Sequence, residues 1–308
     1  MSAFPDGALR ALVMGAIRDA CRLDVEAFKP GNVSVLRDGH GMAAEHFILS
    51  AELIAAPLTA PGASVGERIL GAVEATRERL PFNTNLGIVL MIAPLVHAAL
   101  HRPPASRLEP VLRAVLEALT VADATAAYAA IRRAQPGGLG RSARHDVSER
   151  PTVTLLAAMR EAAGRDSIAR QYATAYRDVF AVAMPRLREA RTAWGSDAWA
   201  MVAAYLRLLA LAPDTHIERK HGGAAAVEVS RTAKLFDALL QAVDQPEQLL
   251  PKLRDWDERL KVQGHNPGAT ADLTVAALLA LKLEKLGDDS EAARTLSGGP
   301  AAHRPSLV

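Results

Sequence analysis

The sequence predicts an all-α protein, a single compact multi-helix domain of roughly ten or more helices around a buried central helix. Three observations carry that expectation. Half of the 308 residues are hydrophobic while aromatics make up only 4%; Ala and Leu dominate the apolar set, a mixture suited to packed helices rather than sheets. Apolar residues recur at three- and four-residue intervals through most of the chain, and no segment alternates convincingly with period two. The third observation is Pro81–Leu100, whose second half reads Ile-Val-Leu-Met-Ile-Ala-Pro-Leu-Val-His-Ala-Ala-Leu. As a helix it has no face suited to water, so it belongs inside a larger helical body. A membrane span would need roughly 18 unbroken apolar residues, and Pro94 and His97 interrupt this shorter run.

In chain order, Leu9, Leu12, Val13, Ala16, Ile17, Ala20 and Leu23 trace one helical stripe ending near Phe28. Lys29-Pro30-Gly31-Asn32-Val33-Ser34 breaks it, because Pro30 disfavours helical geometry at Lys29 and Gly31 permits a positive φ. Arg37-Asp38-Gly39-His40-Gly41 keeps the chain irregular until a helix resumes over Met42–Ala56. Ser64-Val65-Gly66-Glu67 is a capping box that opens a helix through Leu80. The central helix follows, with Asn83, Thr84 and Asn85 where it begins. Ser106-Arg107-Leu108-Glu109 repeats the capping pattern before Val111–Leu119, and Val121–Arg133 is an Ala-rich helix. Gln135–Asp146 is the clearest long loop. Helical patterns return at Val153–Ala163, Ile168–Ala183 and Ala198–Leu211; the charged segment Pro213–Gly223 interrupts them. Ala224–Val243, Glu247–Val262 and Leu273–Leu286 complete a domain of residues 1–286, and 287–308 reads as a flexible tail.

Net charge is +2 with both signs interspersed, unlike the basic footprint of a nucleic-acid binder. The single cysteine, Cys21, excludes an intrachain disulfide framework and any multi-cysteine metal site. No basic segment followed by an apolar core opens the chain. These features predict a soluble cytoplasmic protein without nucleic-acid or membrane partners; a homo-oligomer stays open.

Five loops concentrate Gly, Pro, Asn, Asp, His and Lys between apolar helices: Lys29–Ser34, Asn83–Gly87, Gly137–Asp146, Asp214–Gly223 and Asn266–Asp272. Each alone has a structural reading: Asn83 or Asn85 as a cap, Asn266-Pro267 as an N-cap followed by Pro at the first helical position. Asn83 to Asn85, beside a helix N-terminus, also suit an anion. Neither a P-loop nor a Rossmann turn is present, since Gly137-Gly138-Leu139-Gly140 follows a helix. His216 and His221, five apart, do not share a helix face, which leaves a zinc site weak.

Four of these segments occur in a telling order. They are Lys29-Pro30-Gly31-Asn32-Val33, Asn83-Thr84-x-x-Gly87, Asp214-Thr215-x-Ile217-x-Arg219-Lys220-x-Gly222 and Asn266-Pro267-Gly268-Ala269-Thr270-Ala271-Asp272-Leu273. Together, over Arg18 to Leu286, they resemble the triphosphoribosyl-dephospho-CoA synthase family. The resemblance implies an all-α transferase that joins ATP, as substrate, to 3′-dephospho-CoA and expels adenine. Such a reaction passes through an oxocarbenium-like state and needs an acid for the leaving base and a base for the attacking hydroxyl. It also needs Mg²⁺, cations and backbone N–H groups around the triphosphate.

On that resemblance, the substrate-binding residues are Lys29, Gly31, Asn32, Ser34, Asn83, Thr84, Asn85, Gly87, Arg219, Lys220, Asn266 and Gly268. Asp214 and Asp272 are the Mg²⁺ or general-base carboxylates, with His145 and Asp146 as a second acid/base pair. The alternatives are solvated charge for Lys29, Arg219 and Lys220, dipole complementation for Asp272, and a helix cap for Asp146. His46 and His97 lie in apolar helical runs and read as core histidines.

The sequence departs from the family at the central helix. Other members carry Asn-Thr-His-Lys-Gly where this chain has Asn83-Thr84-Asn85-Leu86-Gly87, so a histidine and a lysine are lost. Their Ser-Pro-Gly-Gly-Ser-Ala-Asp-Leu is here Asn266 to Leu273 with three changes. The expectation is a diverged branch with another acceptor or donor, such as one serving a pterin-type one-carbon carrier. The competing expectation is a non-catalytic helical protein that binds a nucleotide or phosphorylated cofactor and acts on a partner.

Overall fold

The computed structural model describes residues 6–103 and 106–297. Among these residues there are fourteen α-helices and no strand. The first six are α1 (Asp6–Glu26), α2 (Ala44–Leu58), α3 (Val65–Arg77), α4 (Leu86–Leu100), α5 (Leu108–Glu117) and α6 (Val121–Ala134). After a long loop come α7 (Leu155–Ala162), α8 (Ser167–Ala173), a π-helical turn (Val179–Ala183), α9 (Met184–Trp194) and α10 (Asp197–Leu211). The last described elements are α11 (Thr215–His221), α12 (Gly223–Gln241), a 3₁₀ turn (Pro246–Leu249), α13 (Leu250–Val262) and α14 (Gly268–Ser297). No single described helix is long and apolar enough to cross a membrane.

The apolar run of the central stretch is α4, and twelve of its fifteen residues are buried. It packs against α3, α5 and α14. Helix α14 is a second buried rod, with Leu273 and Val275 through Ala280 almost wholly covered. An all-apolar helix needs partners on every side, and this pair supply one another's inner face while the other helices cover the rest.

Pro94 sits inside α4 and has no N–H for the carbonyl of Leu90. The hydroxyl of buried Tyr172 donates to that carbonyl at 2.6 Å, and Tyr176 donates to the next one, on Met91, at 2.9 Å. Removing the first donor leaves a buried carbonyl orphaned, so Tyr172→Phe is expected to cost about 1–3 kcal/mol, read as a lower denaturant midpoint with an unchanged slope.

Several elements differ from the sequence reading. The helix expected over Ile168–Ala183 breaks at Ala175 and Tyr176, whose φ values are 51° and 61°; the break turns Tyr172 and Tyr176 inward onto α4. Helix α9 lies where the sequence suggests no helix; it continues the π-helical turn without a break, Ala183 at the junction being α-helical, and Pro185 falls just after that turn. The Ser64/Glu67 capping box forms, with Ser64 N–H on Glu67 Oε2 at 2.7 Å. The Ser106 box does not: Ser106 Oγ donates to Pro103 and α5 starts without a side-chain cap. The charged segment after Pro213 folds as α11, and α14 continues past Leu286 to Ser297; residues 298–308 lie outside the described residues.

Candidate active site

The N-termini of α4 and α14 open into one cleft of about 650 Å³. Each has a glycine at the point of closest approach. A Cβ on Gly87 would lie 1.9 Å from Asp272 Oδ2, and one on Gly268 would lie 2.6 Å from His216 Nδ1. Glycine at these two places lets a carboxylate rest on the first turn of α4 and an imidazole on the first turn of α14. Asn83 caps α4, its Oδ1 accepting from Asn85 N–H at 3.2 Å and Leu86 N–H at 3.0 Å. Its neighbours in the motif are tied back: Asn85 Nδ2 donates to Thr76 Oγ1 at 3.1 Å, and Thr84 Oγ1 pairs with Ser50 Oγ.

The first and last motifs meet directly, with Asn32 Nδ2 donating to Asn266 Oδ1 at 2.6 Å. Gly31, at φ +86°, comes so close that a Cβ would lie 2.7 Å from Pro267 Cδ. Its N–H donates to Asp257 Oδ1 at 2.8 Å and Tyr205 holds the carbonyl of Pro30 at 2.7 Å. Gly31 therefore joins the two loops from behind the wall.

Asn32, Asn83, Thr84, Asn85, Gly87, His145, Asp146, Arg219, Lys220, Asn266, Gly268 and Asp272 all line the cleft. Lys29, Gly31, Ser34 and Asp214 are not on its wall. Lys29, expected on phosphate, has a fully buried side chain 3.0 Å from Asp24 Oδ1, and its ammonium also donates to the carbonyl of Asp24. Ser34 is buried and pairs through its backbone with Arg37. Asp214, expected at a metal, has both oxygens occupied. Oδ1 accepts from His216 N–H at 2.8 Å and Ile217 N–H at 3.1 Å, capping α11; Oδ2 accepts from Thr270 N–H at 2.8 Å and Thr270 Oγ1 at 2.7 Å, capping α14. One carboxylate thus sets the angle between two helix starts.

Asp146 organises its own loop. Its oxygens accept from Ser142 N–H at 2.6 Å, Ser148 N–H at 2.8 Å and Ser148 Oγ at 2.6 Å; led by the Ser148 hydroxyl, these donors lower its pKa to about 2. It stays ionised as a turn-former and caps no helix. His145 beside it is left-handed, at φ 53°, with its carbonyl held by Tyr128 at 2.7 Å. His46 and His97 are structural: His46 Nδ1 accepts from Ala43 N–H at 3.0 Å, and burial holds the pKa of His97 down to about 4.

Asp272 differs from the other carboxylates because no hydrogen bond or ion pair reaches it among the described residues. Burial pushes its pKa well up, then the charges of Asp24, Asp214 and Asp166, against the opposing pull of Arg219. Arg219 is held at 2.6 Å by Asp166, the N-cap of α8. His216 is kept neutral: burial, then Lys220, Arg219, His40 and His221, lower its pKa to about 4. Three residues of this constellation, Asp24, Asp166 and His216, were not assigned to a site from sequence. Asp24 did leave a trace, standing seven residues after Ile17 and four after Ala20, in line with the apolar stripe of α1.

Among the described residues no three acidic, histidine or cysteine side chains converge as a metal cluster. Mg²⁺ in nucleotide sites commonly takes one or two carboxylates and completes its shell with phosphate oxygens and water. The free, charge-crowded carboxylate of Asp272 fits that donor set; Asp214, with four donors already on it, does not.

Residues 10–291 match the family described as CitG: ATP:dephospho-CoA triphosphoribosyl transferase. Among solved structures, the chain resembles an Archaeoglobus fulgidus protein provisionally named a triphosphoribosyl-dephospho-CoA synthase. The two share 22% identity over 76% of this chain and 97% of the other, with a TM-score of 0.59; at that identity the likeness shows the fold. No curated protein matches. With the family matched over nearly the whole chain, this protein belongs to the ATP:dephospho-CoA triphosphoribosyl transferase family.

Proposed function

We propose that the protein transfers the triphosphoribosyl group of ATP to a hydroxyl of 3′-dephospho-CoA and releases adenine. The observation that carries this reading is the convergence, in one cleft, of two helix N-termini, the unpartnered carboxylate of Asp272 and the cations Arg219 and Lys220. Helix N-termini and cations favour phosphate oxygens, and Mg²⁺ carried by the triphosphate would offset its charge, which leaves Asp272 free to act as the base.

In the reaction the bond from C1′ of ATP to N9 of adenine breaks and a bond from C1′ to the acceptor oxygen forms. The proton of the acceptor hydroxyl passes to Asp272, and adenine leaves with a proton at N9. His145 is assigned as its donor because burial, and then the charges of Lys220 and Arg219, hold the His216 imidazole neutral. Asn32, Asn83 and Asn266 orient the sugar through neutral hydrogen bonds, and Asp166 keeps the Arg219 guanidinium aimed at the triphosphate. Much of the acceleration comes from holding two large substrates in line.

Asn85 and Leu86 are uncharged side chains and bring no cation into the cleft they line, but Arg219 and Lys220 supply cations there. We therefore take dephospho-CoA as the acceptor and treat other acceptors as controls. Incubation with ATP, Mg²⁺ and dephospho-CoA should release adenine in step with loss of dephospho-CoA, and omitting either substrate should stop it. Bound ATP without adenine release would point instead to the non-catalytic reading, and release supported better by a pterin acceptor would move the protein to another pathway.

A further inference from the structure

The cleft has a second cationic group that the reaction above leaves unused. Arg141 and Arg144 stand on the loop between α6 and α7, and Arg165 between α7 and α8; all three line the cleft. Their arrangement is built rather than incidental. Asp146 holds the backbone of Ser142 at 2.6 Å, and Ser142 Oγ donates to the carbonyl of Arg144 at 2.7 Å. The same oxygen accepts from Arg165 Nη2 at 2.8 Å, and Arg165 Nη1 reaches the carbonyl of Glu161 at 3.4 Å. Arg144 is 3.7 Å from Glu161 and largely exposed. Arg141 has no hydrogen bond or ion pair among the described residues, though its charge helps to lower the pKa of Asp146.

The reaction joins two anionic substrates, so the cleft must hold two phosphate chains at once. We propose that Arg141, Arg144 and Arg165 form a separate anion site that takes the diphosphate of the acceptor, leaving Arg219 and Lys220 to the triphosphate of ATP. The chemistry of the two groups separates them. The charge of Arg219 acts on the free carboxylate of Asp272 and Lys220 follows it on α11, a setting of mixed charge suited to a triphosphate that carries Mg²⁺. The three arginines have no free carboxylate beside them, because Asp146 is saturated by three donors and Glu161 faces Arg144. Such a site suits a diphosphate bound without metal, by forked guanidinium donors.

The surroundings agree with that division. Leu155, Ala158, Met159 and Ala162 of α7 line the cleft as an apolar strip beside these arginines, matching an acceptor whose diphosphate joins an adenosine to a long, weakly polar arm. Lys220 marks the seam between the groups: a Cβ on Gly137 would lie 3.4 Å from its Cε. Saturation of Asp146 then has a purpose, since its hydrogen bonds hold the backbone that presents Arg141 and Arg144.

This inference rests on the proposed transfer reaction, and its test separates the two. Arg141→Gln removes a side chain with no structural partner, so the protein should fold normally. It should raise the KM for dephospho-CoA about tenfold and weaken equilibrium binding of dephospho-CoA equally, while the KM for ATP stays within about twofold; the Arg141→Gln/Arg165→Gln pair should reach about a hundredfold. Equal losses for ATP and acceptor, or no loss for either, would overturn the separate site. Should the wild-type protein release no adenine, the transfer reading fails. The binding arm still decides this inference, because dephospho-CoA held equally by wild type and Arg141→Gln would refute it.

Discussion

Asp272→Asn is expected to lower the rate of adenine release by about 100- to 10,000-fold, the range for loss of a positioned general base, without destabilising the fold. The two effects separate because Asp272 is held in place by no hydrogen bond, while Asp24, Asp214 and Asp166 all oppose its charge. The sign of the pH dependence follows. Its pKa is raised on folding, so the protonated form is the one the fold favours. Below the ordinary aspartate pKa of about 3.9 the carboxyl is neutral in both states and wild type matches the variant. As pH rises through the elevated native pKa, the ionised form costs the wild type stability. Thermal unfolding at neutral pH should therefore show the variant at least as stable as wild type, with the difference closing in acid. A variant that unfolds more readily at neutral pH would make Asp272 a structural residue; full activity in a well-folded variant would remove it from the reaction.

Lys29→Met should act in the opposite way. Lys29 and Asp24 form an ion pair with almost no access to water, and removing one partner of a buried pair costs about 3–5 kcal/mol. Total stability of a domain is commonly 5–15 kcal/mol, so a loss of this size is easily read in urea. Changing both partners to apolar residues, Lys29→Met with Asp24→Leu, should restore much of the loss, since the orphaned charge is then gone. A single variant of unchanged stability with a raised KM for ATP would return Lys29 to the phosphates.

That pair shows where sequence reasoning reaches and where it stops. Helices, the burial of α4 and the polar turn at its start are local properties, written in spacing and in Asn, Gly and Pro. Convergence of the motifs is a tertiary fact, visible in the sequence only through resemblance to a family. The roles of individual charges depended on partners far along the chain. The family resemblance puts the Lys29 cation on phosphate, yet its partner, Asp24, lies on the preceding helix. Asp214 looked like a metal ligand, but it meets Thr270, 56 residues later. Arg219 pairs with Asp166, which lies 53 residues away and resembles an ordinary N-cap. Helix α9 is illegible for a local reason, because Pro185 ordinarily breaks a helix whereas here it follows a π-helical turn inside a continuous one.

In the proposed reaction ATP is cleaved at its ribosyl–adenine bond while its phosphates stay together. ATP labelled in adenine and, separately, in the γ-phosphate tests it most directly, with Mg²⁺ and dephospho-CoA present. The adenine label is expected to leave as free base and the γ-phosphate label to appear in a product of dephospho-CoA, in equal amounts, with both lost in Asp272→Asn. Label released as inorganic phosphate, or γ-phosphate transferred while adenine stays on its ribose, would contradict it.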